Sequence, residues 1–306
     1  MFHSLAEAEQ YAGACKQVDA LLIAGPTTSG KSAFAVELAK KIDGIVINTD
    51  SMQVYRDLSI ITARPRQDEM ETIPHWLYGH IDGAVNYSVG HFLKDAETAL
   101  QQAYNMQKKP VFVGGTGLYF KALLEGLSPV PPISAKVREK IRQWCEGRES
   151  PVLHNRLSEC DPELAEKLKP NDRLRIMRAL EVFEETGQSL LVFQRQKTGG
   201  LLEKSTCLKF FLAPEREQIR QRIDERFLNM LKQGALDEIR TLMERRLDPL
   251  LPVMRAHGVP GLIDYLSGNC DREAAILRGQ ADTRRYAKRQ MTWARHQMDG
   301  WHWVKI

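Results

Sequence analysis

Gly25-Pro26-Thr27-Thr28-Ser29-Gly30-Lys31-Ser32 fits the phosphate-binding pattern G-x-x-x-x-G-K-[ST]. The segment follows an apolar run at residues 21–24 that is typical of a buried strand, and it precedes a predicted helix over residues 33–40. Glycines allow consecutive backbone amides to converge on phosphate oxygens, while Lys31 adds a cation and Ser32 adds a hydroxyl ligand for Mg²⁺. We therefore predict that this segment, here called the P-loop, binds phosphate groups with Mg²⁺ as the cofactor, through Gly25, Pro26, Thr27, Thr28, Ser29, Gly30, Lys31 and Ser32.

The pattern around the P-loop predicts an α/β fold with a doubly wound parallel sheet. Apolar runs at residues 45–48 and 111–113 are typical of buried parallel strands, and amphipathic helical segments separate them. A proline-rich break at residues 128–132 is followed by helical, charged sequence up to a second break at residues 198–200. We predict a P-loop NTPase-like core formed by residues 1–130 and 206–306, with a helical insertion over residues 131–205.

Composition narrows the class of protein. The chain has 306 residues, of which 43% are hydrophobic, so it can build a proper core. Its apolar runs are far shorter than the ~20 residues that cross a bilayer, and residues 1–19 lack the pattern of a signal peptide. We expect a cytoplasmic protein that binds no membrane. Its isolated cysteines are expected to be reduced structural thiols: Cys15, Cys145, Cys160, Cys207 and Cys270.

Two loops after predicted strands carry candidate catalytic groups. Asp50 follows the strand at residues 45–48, at the edge of the sheet where α/β proteins bind ligands, so it could act as a base. It could equally be a turn or helix-cap residue, and Thr116 could be only a turn residue. The strand at residues 111–113 is followed by Gly114-Gly115-Thr116-Gly117, with no carboxylate to organise Mg²⁺ for phosphoryl transfer. This absence disfavours a kinase or an ATPase.

Arg226 is a candidate anion ligand. A helical wheel for residues 217–233 places it on the same face as Ile219, Ile223 and Met230. An arginine on an apolar face needs an anion, which could be a structural carboxylate or a bound diphosphate. We favour the diphosphate.

Arginines on shared helix faces suggest a polyanionic partner. In the insertion, Asn171 or Asp172 would cap a helix whose inward side chains are Ile176, Leu180 and Phe183, while Arg175 and Arg178 share the outward face. Near the C-terminus, Arg278, Arg285 and Arg289 align at i, i+7 and i+11 in a segment rich in Lys and Arg. A solvated charged face is the alternative at both places.

Longer motifs give the chain a close resemblance to the bacterial tRNA dimethylallyltransferase family. They are the P-loop, Asp50-Ser51-Met52-Gln53-Val54-Tyr55-Arg56, the segment Gly114 to Leu123 and the segment Thr283 to Trp293, with further agreement at residues 171–182 and 222–227. The resemblance spans nearly the whole chain.

The resemblance implies a reaction. A dimethylallyl group would pass from dimethylallyl diphosphate to N6 of the adenosine that follows a tRNA anticodon, so the P-loop would bind the leaving group. Asp50 would be the general base, Thr116 would lie beside the adenine, and Arg226 would stabilise the departing diphosphate. The base would be flipped into the site. The expected contacts with the tRNA anticodon stem-loop are Asp50, Ser51, Met52, Gln53, Thr116, Arg138, Arg175, Arg178, Arg285 and Arg289.

At two positions the residue differs from the one that is usual in this family. Thr28 replaces Ala within the variable part of the P-loop, where we expect it to be tolerated. Ile61 replaces Gly in Ile61-Thr62-Ala63-Arg64-Pro65, which leaves the detailed geometry of that turn open. The zinc-finger extension of some eukaryotic relatives has no counterpart here.

We interpret the chain as a monomeric tRNA-modifying prenyltransferase. A nucleotide kinase of similar fold is the main alternative, and it would transfer the terminal phosphoryl group of ATP. A non-catalytic RNA-binding module with a vestigial P-loop is the third, which the intact Lys31, Ser32 and Asp50 argue against.

Overall fold

The computed structural model describes residues 2–14, 18–196 and 198–306, and these form two compact units. One unit comprises the chain up to Leu124 together with Leu201–Ile306, and the other comprises Glu125–Gly200. The second unit begins and ends a few residues earlier than the insertion expected from the sequence.

The first unit is built on a parallel sheet, as predicted, and this sheet has six strands. They are β1 (Ala20–Ala24), β2 (Gly44–Asn48), β3 (His75–Trp76), β4 (Lys109–Gly114), β5 (Cys207–Ala213) and β6 (His302–Lys305). Their order in the sheet is β3-β2-β4-β1-β5-β6, so β1 is central and pairs with both β4 and β5. The edge strands β3 and β6 were not expected from the sequence.

Helices cover the sheet and form the second unit. The first unit contains α1 (Leu5–Ala14), α2 (Lys31–Ile42), α3 (Gln67–Met70), α4 (Val89–Asn105) and α5 (Gly117–Glu125). The last residue of α5, Glu125, is the first residue of the second unit. The second unit contains α6 (Ala135–Cys145), α7 (Ser150–Cys160), α8 (Pro162–Lys167), α9 (Arg173–Thr186) and α10 (Leu190–Gln194). The first unit resumes with α11 (Arg216–Lys232), α12 (Ala235–Glu244), α13 (Val259–Leu266) and α14 (Arg272–Gln297).

Alternation along the strands separates two apolar layers. Leu21 and Ile23 of β1 pack on one face of the sheet with Phe34 of α2, while Leu22 packs on the opposite face with Phe112. Burial of both faces explains why the strands appear in the sequence as continuous apolar runs. Because the strands are parallel, β1, β2 and β4 all end at the same edge, where the P-loop, Asp50 and Thr116 follow them.

The second unit has its own core, which includes Leu153 and Ile176. Ile176 and Leu180 are buried as expected, but Phe183 is only partly buried, whereas its neighbour Val182 is fully buried. Asp172 occupies the N-cap position of α9 without a side-chain cap hydrogen bond, and its carboxylate lies 3.5 Å from Arg175 instead.

Two other expectations concern thiols and membranes. The cysteines that the structure describes are free thiols, at positions 145, 160, 207 and 270, while Cys15 lies outside the described residues. Among residues 2–14, 18–196 and 198–306, no helix has the length and apolar content needed to cross a bilayer.

Candidate active site

The P-loop joins the end of β1 to the start of α2 in a tight turn. Thr28 and Gly30 both have left-handed backbone conformations, with φ of 62° and 75°. Such a φ costs glycine little, and Thr28 adopts it at some strain. The Thr28 Oγ1 and Ser29 Oγ atoms are buried and find no hydrogen-bond partner among the described residues. Buried polar atoms are normally satisfied, so these two hydroxyls suit a ligand that brings acceptor oxygens.

Lys31 is held inside the turn of the P-loop. Its Nζ donates a hydrogen bond to the Pro26 carbonyl oxygen at 3.2 Å. Burial lowers the pKa of Lys31 to about 8, the nearby Asp50 carboxylate opposes this change, and the Arg226 guanidinium adds to it. A bound anion would favour the charged ammonium, because an opposite charge at close range raises the pKa of a lysine.

Asp50 is fixed by its own turn and also faces the cavities of the site. Its amide donates to Asn48 Oδ1 at 2.9 Å, and its Oδ1 accepts from the Met52 amide at 2.9 Å. Among the described residues, Asp50 Oδ2 accepts no hydrogen bond. One carboxylate oxygen therefore stabilises the turn, which agrees with the turn-residue alternative, and the other remains open to a ligand.

Thr116 ties the loop after β4 to the loop after β2. Its Oγ1 accepts from the Ser51 amide at 3.0 Å and donates to Ser51 Oγ at 3.2 Å. Its amide donates to the Thr49 carbonyl oxygen at 3.2 Å. This network sets the position of Thr116 relative to the turn that holds Asp50.

Arg226 reaches the P-loop from α11. Its Nη1 lies 3.4 Å from Thr27 Oγ1. No carboxylate of the described residues lies within ion-pair distance of its guanidinium, although Glu69 and Asp50 act on it at longer range and burial lowers its pKa. This arrangement argues against the structural ion pair that the sequence left open, and it favours an external anion.

Two cavities meet at these residues. One surrounds the P-loop and includes Lys31, Ser32 and Gln53 in its lining. The other has a volume of about 80 Å³ and largely apolar walls. Both are lined by Thr27, Thr28, Asp50, Thr62 and Arg226. The carboxylate of Asp50 therefore borders both a polyanion site and an apolar space.

Gln290 links the two sides of the site, and the reasoning from single residues missed its role. Its Oε1 accepts from the Thr27 amide at 3.2 Å, and its Nε2 donates to the Gly115 carbonyl oxygen at 2.8 Å. A Cβ at Gly115 would lie 2.2 Å from Gln290 Nε2, so a side chain there would displace the Gln290 amide. The available signal was a buried amide on the face of α14 that also carries Ala287 and Ala294.

Ser51, Met52 and Gln53, which were expected to contact tRNA, have different surroundings. Met52 lines the apolar cavity, and Ser51 is hydrogen-bonded to Thr116 as described above. The Gln53 side-chain amide donates to the carbonyl oxygens of Thr62 and Ala63, both at 3.0 Å. Gln53 thus supports the turn at residues 60–63.

That turn contains Ile61, at a position where the family that the chain resembles usually has Gly. Glu238 holds it by accepting hydrogen bonds from the amides of Ser59, Ile60 and Ile61 at 2.5, 2.8 and 2.9 Å. The left-handed φ of 50° falls on Ala63 rather than on Ile61. No glycine is therefore needed at Ile61, whose buried side chain lines the apolar cavity.

The C-terminal arginines differ in their relation to the site. Arg289 lines a third cavity together with Thr116 and Gln290, and its guanidinium lies 5.7 Å from the centre of the Tyr286 ring. Arg285 is exposed and forms an ion pair with Asp282. Of the two, only Arg289 lies at the site.

The other predicted tRNA contacts, Arg138, Arg175 and Arg178, all belong to the helical unit. Arg138 lies exposed on α6. The side chain of Arg175 is 75% exposed, and that of Arg178 is 42% exposed, 3.3 Å from Glu181. These arginines lie at the surface of the helical unit, whereas Asp50, Thr116 and Arg226 lie together in the first unit.

Comparison with known proteins gives a consistent result. The family model for IPP transferase matches residues 53–297, and the model for isopentenyl transferase matches residues 18–82. The chain is 58% identical to a tRNA dimethylallyltransferase of Methylobacterium nodulans, over 93% of this chain and 94% of that protein. It is 55% identical to one of Beijerinckia indica, again over 93% and 94%.

Solved structures agree with these relatives. A full-length tRNA isopentenylpyrophosphate transferase of Bacillus halodurans superposes with a TM-score of 0.66 at 32% identity, covering 94% of this chain and 90% of that one. A eukaryotic dimethylallyltransferase acting on tRNA superposes with a TM-score of 0.79 at 32% identity, covering 93% of this chain and 73% of that one. None of these comparisons supports the kinase alternative.

Proposed function

Because the chain belongs to the IPP transferase family of tRNA-modifying prenyltransferases, we propose that it transfers a dimethylallyl group from dimethylallyl diphosphate to N6 of the adenosine that follows a tRNA anticodon. The observation that carries this proposal is the position of Asp50, which lines both the P-loop cavity and the apolar cavity and has one carboxylate oxygen without a hydrogen bond from the described residues. A diphosphate and a hydrocarbon chain fit these two spaces, and a base is needed where they join.

The reaction breaks the allylic C–O bond and forms a C–N bond to N6 of the adenine. An exocyclic amine is a weak nucleophile until it loses a proton, and Asp50 Oδ2 is the open acceptor for that proton. The charge that develops on the leaving diphosphate is stabilised by the P-loop amides, Lys31 and Arg226. Thr116 and Ser51 hold the neighbouring loop, which supports a role for Thr116 beside the adenine.

The residues at the P-loop fit a magnesium ion that is bound mainly through substrate phosphates. The residues described in the structure contain no cluster of three or more His, Cys, Asp or Glu side chains that would hold a metal ion by themselves. Mg²⁺ is commonly bound by one or two protein ligands plus substrate phosphates, and Ser32, the predicted ligand, lines the P-loop cavity. Bound there, Mg²⁺ would neutralise charge on the diphosphate.

The partner of the reaction is a folded RNA, and the basic side chains support its binding. Arg289 lines the cavity that contains Thr116, on the side where the adenine would enter. Arg138, Arg175 and Arg178 give the helical unit a set of exposed guanidinium groups suited to phosphates. Other expectations, namely a monomer that works in the cytoplasm and a tRNA contact by Arg285, remain predictions.

The proposal is tested by incubating the protein with Mg²⁺, dimethylallyl diphosphate and unmodified tRNA, followed by mass analysis of the digested nucleosides. We expect one dimethylallyl group on N6 of the adenosine next to the anticodon. A parallel reaction with ATP tests the kinase alternative. Phosphoryl transfer from ATP without any prenylated nucleoside would refute the proposal.

A further inference from the structure

One face of α11 carries both polar and apolar groups into the same cavity. Arg226 is next to the P-loop, and Ile223, Phe227 and Met230 line the apolar cavity from the same helix at i, i+4 and i+7. All three apolar side chains are buried, as is Ile61 from the turn that Glu238 holds. A ligand with an anionic head and a short hydrocarbon tail matches this combination.

The ring of Phe227 packs directly against two glycines, in the space that their missing side chains leave. A Cβ at Gly279, in the first third of α14, would lie 2.2 Å from the Phe227 Cζ atom. A Cβ at Gly258, which precedes α13 with a φ of 94°, would lie 2.8 Å from Phe227 Cε2 and 3.1 Å from Ile61 Cδ1. Glycine within a helix lowers stability relative to alanine, so its presence at position 279 is explained by the room that the ring needs.

We propose that Phe227, backed by Gly258 and Gly279, forms the end wall of the prenyl pocket and restricts the donor to a five-carbon allylic diphosphate. The inference rests on the proposed function. The first carbon of the donor is bonded to the diphosphate beside Arg226, so the tail must extend into the apolar space that Phe227 bounds. The adenine needs a different approach, along the cavity of Thr116 and Arg289.

A donor that is one isoprene unit longer, geranyl diphosphate, would undergo the same chemistry. Its allylic C–O bond would break, the new C–N bond would form at N6, and the proton would pass to Asp50. The extra five carbons need the space that the Phe227 ring fills, because protein interiors are packed too densely to accept them elsewhere. The enzyme therefore discriminates by pocket depth.

The test is a competition between dimethylallyl and geranyl diphosphate on the same unmodified tRNA, with the two prenylated nucleosides separated by mass. The wild-type protein is expected to transfer almost only the five-carbon group. Phe227→Ala is expected to raise the ratio of kcat/KM for geranyl over dimethylallyl diphosphate by at least about 10-fold, since single hydrophobic contacts discriminate by about 10- to 200-fold. Phe227→Leu, a milder change, is expected to raise the ratio less and serves if the alanine variant does not fold.

Phe92→Ala provides a matched control. Phe92 is fully buried in the same unit, where it stacks on Tyr119 at 4.0 Å between ring centres, and it lines none of the cavities of the site. This variant loses a phenyl ring from the core but should keep the wild-type ratio. A general loosening of the protein would change the ratio in both variants.

Three results would overturn the inference. An unchanged ratio in the Phe227 variants that still transfer dimethylallyl, or a wild-type protein that uses both donors equally, would show that Phe227 does not set the chain length. If the Phe227 variants changed only KM for tRNA, Phe227 would be assigned to the binding of the adenine and not of the hydrocarbon tail. A wild-type protein that transfers neither group would instead contradict the proposed function.

Discussion

Replacing Asp50 by asparagine separates its catalytic role from its role in the turn. The Met52 amide donates to Asp50 Oδ1 at 2.9 Å, and an asparagine carbonyl oxygen accepts that hydrogen bond equally well. The open Oδ2 becomes an NH₂ group that cannot take a proton. General-base catalysis contributes about 10²- to 10⁴-fold, so kcat should fall by that factor, equivalent to about 3–5 kcal/mol of activation free energy.

The assay is single-turnover transfer to tRNA with dimethylallyl diphosphate in excess, because product release then does not mask the chemical step. The affinity for tRNA, measured by filter binding, should be unchanged. Asp50→Ala serves as a comparison, since it removes the same base and also the hydrogen bond to Met52, at a cost of about 0.5–1.5 kcal/mol in stability. Near wild-type turnover in the asparagine variant would refute the assignment of Asp50 as the base.

Three more predictions concern the diphosphate site and the tRNA surface. As pH rises through about 8, Lys31 of the free protein loses its proton, so kcat/KM for dimethylallyl diphosphate should fall. The value of kcat/KM for tRNA, measured at saturating dimethylallyl diphosphate, should stay constant, because the bound diphosphate keeps Lys31 charged. A kcat/KM for dimethylallyl diphosphate that does not change with pH would contradict this prediction. Gln290→Leu removes the hydrogen bonds to the Thr27 amide and to the Gly115 carbonyl oxygen, each contributing about 0.5–1.5 kcal/mol, so KM for dimethylallyl diphosphate should rise about 10-fold. An unchanged KM would show that these two hydrogen bonds are not needed to bind dimethylallyl diphosphate. Arg175→Ala combined with Arg178→Ala should weaken tRNA binding and reduce the slope of log K against log salt by about 1–2, whereas an unchanged slope would show a merely solvated face.

The fold could be predicted because its main signals are local. The strands β1, β2, β4 and β5 are buried on both faces and therefore appear in the sequence as short apolar runs. The P-loop motif marks the carboxyl end of β1, and so indicates at which edge of the sheet the ligand binds. β3 has only two residues and β6 only four, at the two edges of the sheet, so neither leaves a recognisable run. Strands of that length are set by their neighbours rather than by their own sequence.

The site was harder to predict because it depends on distant pairs. Thr27 and Gln290 are separated by 263 residues, and no periodicity indicates that their side chain and backbone meet. The helical wheel did place Arg226 on the apolar face, and the structure adds that this face lines a cavity next to the P-loop. For Ile61, the missing information was the carboxylate of Glu238, which holds the turn from α12 without any need for glycine.

The central claim is that the P-loop binds a diphosphate that leaves intact while the hydrocarbon goes to tRNA. The most direct measurement uses dimethylallyl diphosphate labelled in both the allyl group and the phosphorus atoms, with purified protein, Mg²⁺ and unmodified tRNA. We predict one allyl label on N6 of the adenosine next to the anticodon for each inorganic diphosphate released, with no phosphorus in the tRNA. Release of orthophosphate in step with turnover, or phosphorus label in the RNA, would contradict the account.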